Sequence, residues 1–276
     1  MSLESDVREL WRRYDDGDLD ADSATEDAYV TLDAVLDALE SGEVRAAEKR
    51  NGEWESNEWV KQAILLTFGL RETRPREYGG VTYHDVLPLR RTDDLPGRNT
   101  RNTPDGTVLR RGAHVGSDCI VMSPSFVNVG AYVGDGTLVD SCDTVGSCAQ
   151  IGSNVKLGAN ALVGGVLEPV ESAPVVVEDD VSLGAGCRVT SGFVVGEGSV
   201  VGENTLLTPR IPIYDLVEEE VVYGHLPPNR RAFTRFVESG VSDHDLFDGG
   251  AYKPAVVALD VQEDTLAEVE REEALR

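Results

Sequence analysis

Between Leu109 and Ile213 an aliphatic residue returns at every sixth position. A first run reads Leu109, Val115, Val121, Val127, Val133, Val139, Val145, Ile151, Leu157, Val163. A second reads Val177, Leu183, Val189, Val195, Val201, Leu207, Ile213. Neither a 3.6-residue nor a two-residue period produces this rhythm. A hexapeptide repeat predicts short parallel strands joined by tight turns, wound into a prism-shaped β-solenoid with the aliphatic side chains inside. Gly follows the aliphatic position at Val115, Val133, Val145, Ile151, Leu157, Val163, Leu183, Val195 and Val201, where the expected role is to turn a corner without steric cost. Val177 stands 14 residues after Val163 where 12 keeps register, which predicts two extra residues near Pro169–Pro174.

The pattern outside the repeat is different. Leu3, Val7, Leu10, Trp11 and Tyr14 fall at helical spacing and end at Asp15-Asp16-Gly17. Thr25 precedes a second helical segment carrying Val30, Leu32, Val35, Leu36 and Leu39, closed by Ser41-Gly42. Val44–Lys49 turns at Asn51-Gly52 into Glu53-Trp54 as a hairpin, and a third helix is predicted over about Ser56 to Leu66. Thr73 to Gly106 reads as a loop-rich connector. Past Ile213, Val256–Val261 reads as a strand and the acidic end from Thr265 as a short helix. The expected organisation is a helical N-terminal domain and connector (1–106), the solenoid (107–214) and a small mixed C-terminal extension (215–276).

Composition narrows the function classes. No stretch approaches the roughly 20 apolar residues of a membrane span, and the acidic N-terminus lacks a signal-peptide core, so a cytoplasmic protein is expected. The formal net charge is −25, from 50 acidic and 25 basic residues. That balance argues against nucleic acid or anionic membrane as partner. Self-repulsion of this size suits a salt-rich medium, where screening removes it, so a halophilic source is expected. Cys119, Cys142, Cys148 and Cys187 form no CxxC pair, and their places in the register suggest small rung side chains; a nucleophilic Cys would need a spatially adjacent His. Of the four histidines, His84, His114, His225 and His244, only His114 lies in the repeat, which argues against a three-histidine zinc site and predicts no metal.

Specific strings go further. Pro124-Ser-Phe-Val-Asn-Val-Gly-Ala-Tyr-Val133, Val139-Asp-Ser, Thr144-Val-Gly-Ser-Cys-Ala-Gln-Ile-Gly152 and Gly164-Gly-Val-Leu-Glu-Pro169 resemble the tetrahydrodipicolinate N-succinyltransferase family. The likeness continues in Leu39-Glu-Ser-Gly-Glu-Val-Arg-Ala-Ala-Glu-Lys49, Trp54, Trp59-Val-Lys-Gln-Ala-Ile-Leu-Leu66, Tyr223-Gly and Pro227. The resemblance implies a homotrimer of left-handed parallel β-helices with active sites between subunits. It also implies transfer of a succinyl group from succinyl-CoA, a co-substrate rather than a bound cofactor, to the amino group of ring-opened tetrahydrodipicolinate, on the route to diaminopimelate and lysine. Such chemistry needs a base, oxyanion donors and cations for the acceptor's carboxylates.

On that resemblance Asp140 is the catalytic aspartate and a substrate contact, and Arg101, in Arg101-Asn-Thr-Pro104, is the substrate-binding arginine, with Arg98 and Arg110 as competitors. The backbone amides around Gly184 and Ala185 are candidates for the CoA arm or the thioester oxygen. One stretch departs from the family. After Leu183-Gly-Ala the family continues Arg-Ser-Glu-Val-Val-Glu-Gly, whereas this chain reads Gly186-Cys-Arg-Val-Thr-Ser-Gly192. Both glutamate positions are gone, and Arg188 becomes a candidate for binding a carboxylate of substrate or succinyl group. An N-acetyltransferase on the same acceptor, another CoA-dependent hexapeptide acyltransferase, or a non-catalytic scaffold are the competing readings. Phe126, Tyr132 and Phe193 are expected to face outward, against a neighbouring subunit or under the insertion at Glu168–Val176.

Overall fold

The computed structural model describes residues 2–104, 106–239 and 251–261. Its N-terminal part holds three helices, α1 (Leu3–Asp15), α2 (Glu26–Ser41) and α3 (Glu58–Leu70). The predicted caps hold. The Thr25 hydroxyl accepts from the Ala28 amide, and Gly42 closes α2 in the left-handed region at φ 83°. α3 runs four residues beyond its predicted end because Leu70 completes its buried face and the Thr67 hydroxyl donates back to the Ala63 carbonyl. The expected hairpin pairs Ala47–Arg50 with Glu53–Ser56. The three helices share one apolar cluster, and Val129 and Cys148 from the repeat enter it.

The connector is more ordered than its composition suggests. Arg74–Tyr78 pairs with Val81–Asp85 across Gly79-Gly80, and Leu95–Arg98 forms a single 3-10 turn. Exposure on both faces of this hairpin leaves no apolar alternation to read.

From Arg101 onward two-residue strands visit three parallel sheets in rotation. From Val108 to Leu207, except across the insertion, a strand pairs with the strand 18 residues later, as in Tyr132↔Gln150, Leu138↔Lys156 and Thr144↔Leu162. The aliphatic residue of every rung points inward, and together these residues form one continuous core.

The glycines after the aliphatic positions do not turn the corners. They sit where successive coils touch. A Cβ on Gly146 would lie 2.1 Å from the Gly165 nitrogen, and one on Gly184 2.6 Å from the Glu203 nitrogen. The positive-φ corner comes two residues later, at Asp118, Gly130, Gly136, Cys142, Cys148, Asn154, Asn160, Asp180, Gly186, Gly192, Gly198 and Asn204.

The insertion is larger than the register predicted. Gln150 pairs with Val176, 26 residues on, so eight residues rather than two are added, and Gly164–Val175 forms a loop between strands. The buried Lys61 ammonium of α3 donates to the Ser172 carbonyl in that loop. Ile213 keeps the six-residue phase but leaves the coil. Ile213–Asp215 pairs with Val256–Ala258, and the next rung is His225–Leu226, stacked on Val194–Val195. Arg230–Ser239 then joins the coil at Val200↔Arg231 and forms a long ribbon with Ala251–Asp260, which contains the predicted strand. The predicted helix from Thr265 lies outside the described residues. Phe193 is fully buried in the coil core rather than outward, whereas Phe126 and Tyr132 are half-buried on the outside.

Polar contacts lock the helical part to the coil. Arg45 lies 3.8 Å over the Tyr132 ring and donates to Gln150 Oε1 at 2.9 Å. His114 stacks on Tyr132 with ring centroids 4.4 Å apart and bonds the Glu40 carbonyl. Burial lowers its proton affinity. Glu178 takes Lys49 Nζ and Trp54 Nε1, both at 2.7 Å. His114 is thus a packing residue. Among the described residues no group of three or more His, Cys, Asp or Glu is placed to hold a metal ion, and no helix is long and apolar enough to cross a membrane.

Candidate active site

Asp140 sits at the corner after the strand Leu138–Val139, half-buried. Its Oδ1 accepts the Ser141 amide at 2.7 Å, and its carbonyl accepts the Ser125 hydroxyl at 2.7 Å and the Asp143 amide at 3.3 Å. The turn therefore holds the main chain on both sides and leaves Oδ2 without a partner among the described residues. A carboxylate fixed by its own corner, with one oxygen free, is suited to accept a proton from a bound amine.

Register fixes the surroundings. Along the same corner the positions equivalent to Asp140 in the next two coils are Gly158 and Gly184. With coils about 4.8 Å apart, Gly184 lies roughly 10 Å from Asp140 along the axis. Two glycines below the acid leave a side-chain-free strip. The Gly184 amide is spent on the Val201 carbonyl at 2.8 Å, so it has no hydrogen left for a ligand; this corrects the expectation for that residue. Ala185 is exposed, and its amide makes no hydrogen bond within the described chain.

Arg101 lies on the outer face of the sheet that carries Leu138, two coils earlier, through Arg101↔Ile120↔Leu138. It is exposed and lines a cavity of about 360 Å³ with Asn99, Asp118, Ile120, Leu138 and Asn154. Its competitors are engaged elsewhere. Arg98 pairs with Asp94 at 3.1 Å and Arg110 with Asp85 at 2.6 Å. Arg188 is exposed on the next sheet, two coils beyond Thr144, and among the described residues its side chain donates only to the Gly186 carbonyl. Arg101, Asp140 and Arg188 therefore share no partner among the described residues. From the coil of Arg101 to that of Arg188 is about 19 Å along the axis.

Three of the four cysteines are excluded as nucleophiles. Cys119, Cys148 and Cys187 are buried, and desolvation pushes their thiols up to about 11, about 12 and about 11. Cys142 is exposed at a positive-φ corner beside Asp140.

Sequence reading overlooked Asp143. It occupies an inward position behind Asp140, almost fully buried. Oδ1 accepts the Ala161 amide at 2.8 Å, whereas Oδ2 is buried with no partner. Desolvation, reinforced by the Asp140 charge, raises its carboxyl to about 8. A charged residue at a position otherwise filled by small or apolar residues (Ala, Val, Ser, Thr, Cys, Phe193 and Ile211) was the available signal.

Two-residue strands rotating through three parallel sheets, with an acid and free arginines on the outside, define the class as hexapeptide-repeat acyltransferases. A family profile described as tetrahydrodipicolinate N-succinyltransferase N-terminal matches residues 2–70, and one described as hexapeptide repeat of succinyl-transferase matches residues 174–209. A 2,3,4,5-tetrahydropyridine-2,6-dicarboxylate N-succinyltransferase of Polynucleobacter asymbioticus is 36% identical over 100% of this chain and 99% of its own. Proteins of the same name from Ralstonia nicotianae (40% identical, 82% of this chain, 83% of that one) and Legionella pneumophila (37%, 94% and 92%) are similar throughout. The chain belongs to the tetrahydrodipicolinate N-succinyltransferase family. A solved Campylobacter jejuni structure titled as a 2,3,4,5-tetrahydropyridine-2-carboxylate N-succinyltransferase shares the fold, with a TM-score of 0.53 at 16% identity over 87% of this chain and 64% of that one.

Proposed function

We propose that the chain transfers a succinyl group from succinyl-CoA to the amino group of ring-opened tetrahydrodipicolinate, in the cytoplasm and on the route to diaminopimelate and lysine. The observation that carries this reading is the likeness over the whole chain, helical part included, to proteins bearing that name.

Asp140 Oδ2 takes the proton released as the acceptor's amine attacks the thioester carbonyl. The new C–N bond forms, the C–S bond breaks, and CoA leaves as the thiol. Arg101 grips a carboxylate of the acceptor, because a guanidinium fork matches a carboxylate with two parallel hydrogen bonds. The strip of Gly158 and Gly184 takes the pantetheine arm, with the Ala185 amide as its donor. Arg188 holds the second carboxylate, that of the acceptor or of the succinyl group. No permanently bound cofactor is needed.

The spread of Arg101, Asp140 and Arg188 over five coils supports sites completed by a neighbouring copy. The assembly in this reading is a homotrimer of left-handed parallel β-helices. Each chain divides into a helical N-terminal domain, the coil and a C-terminal extension.

CoA release with tetrahydrodipicolinate as acceptor, at high KCl, tests the proposal. Succinyl-CoA should outpace acetyl-CoA, and Asp140→Asn should lower kcat by about 100-fold or more. Preference for acetyl-CoA would replace the donor, and no turnover with either would overturn the assignment.

A further inference from the structure

A second cavity, of about 440 Å³, opens far from the acyl-transfer corner, between the start of α2, the end of α3 and the hairpin Arg74–Asp85. It shares no lining residue with the cavity beside Arg101. Arg71, Arg74 and Arg76 converge on it, in a chain with half as many basic as acidic residues. Arg71 pairs with Asp33 at 2.9 Å and lies over the Tyr29 ring, and Arg76 donates one Nη to the Val86 carbonyl. The Nε atoms of Arg71 and Arg76 are nevertheless buried with no hydrogen-bond partner. Leaving such donors unmet costs about 1–3 kcal/mol each. Arg74 is exposed and makes no ion pair among the described residues. Across the cavity Asp22, Glu26 and Glu72 are likewise unpaired.

The charge pattern specifies the guest. With Arg71 and Asp33 cancelling, the wall offers two cations and three anions. A ligand with one carboxylate and two ammonium groups carries one net positive charge and balances the wall's single net negative charge. Its carboxylate meets the exposed Arg74 guanidinium, and its ammonium groups meet Asp22, Glu26 and Glu72.

We propose that this cavity is a binding site for a free basic α-amino acid, separate from the acyl-transfer site and independent of the reaction assigned to it. Calorimetric titration of the full chain with L-lysine, at the lowest KCl that keeps it folded, tests this. Saturable binding at one site per chain is expected, weakened by about tenfold or more in Arg74→Ala and in Glu26→Gln. Both residues are exposed and unpaired, so an unchanged Tm should accompany the loss. L-Glutamate should bind more weakly, and Asp140→Asn should leave L-lysine binding intact. The proposal falls if no saturable heat is seen, if L-glutamate binds tighter, or if both cavity variants bind normally. Loss of binding in Asp140→Asn would equally overturn it, because the ligand would then occupy the transfer site.

Discussion

Asp143 is the residue whose chemistry departs furthest from its surroundings. Its inward neighbours in the register are small or apolar, yet it carries a carboxyl with one oxygen buried and unpartnered. Because burial raises it to about 8, the folded chain keeps a proton there at neutral pH. The unfolded chain releases that proton near the ordinary aspartate value of about 3.9. The sign follows from linkage. The stability contributed by the neutral acid is complete below the unfolded value and is lost as pH rises through about 8. Asp143→Asn keeps the shape and cannot ionise, so it should remove that loss and be more stable than the parent by about 1–3 kcal/mol at pH 9. Urea midpoints at pH 5 and pH 9 measure this, and an identical pH dependence in both proteins would refute it. The same residue sits behind Asp140 and donates its amide to the Asp140 carbonyl, so its ionisation also bears on the corner proposed for catalysis.

At the level of the rung, two six-residue registers are superposed with different physical origins. Where glycine follows the aliphatic position it answers to the neighbouring coil, and the positive-φ residue two places later answers to the corner. Gly146→Ala tests the first. Its Cβ would fall 2.1 Å from the Gly165 nitrogen, a backbone atom that cannot swing away. A loss of about 1–3 kcal/mol is expected in chemical denaturation, of the size of overpacking in a rigid core. Asn154→Gly, at a corner already tolerated by Asn, should stay within about 1 kcal/mol; equal costs at both sites would refute the distinction. The sequence displayed both registers, but only contact between coils tells them apart. Helices α1 and α2 were legible because their caps and apolar faces are local. The hairpin Arg74–Asp85 was not, since neither face is buried. The length of the insertion was misread because Val177 falls back into an aliphatic phase that suits several lengths, and strand pairing decides among them. Asp140 and Arg101 are candidates through short strings. Asp143 and the spent amide of Gly184 depend on which way a rung position faces and on which hydrogen bond it already makes.

Across the whole molecule, one chain does not close a site. Arg101 and Asp140 share a sheet and its corner, whereas Arg188 projects from the next sheet two coils further on. A ligand reaching Asp140 from outside therefore meets a convex corner unless another copy supplies a facing wall. If copies close into a ring, as in the proposed homotrimer, a neighbouring copy would supply that wall. On that geometry Asp140 and Arg188 acting on one substrate belong to different chains. The consequence is measurable by mixing. Asp140→Asn and Arg188→Ala proteins, each of low activity alone, should regain turnover when unfolded together and refolded as mixed assemblies. If each site takes one of the two residues from each of two neighbours, random mixing restores both side chains in about a quarter of the sites. Light scattering at high KCl would show the mixed species at three times the 29.8 kDa chain mass. No recovery in mixed trimers that form normally would place both residues in the same chain's site, and a monomeric mass would remove the shared cleft altogether.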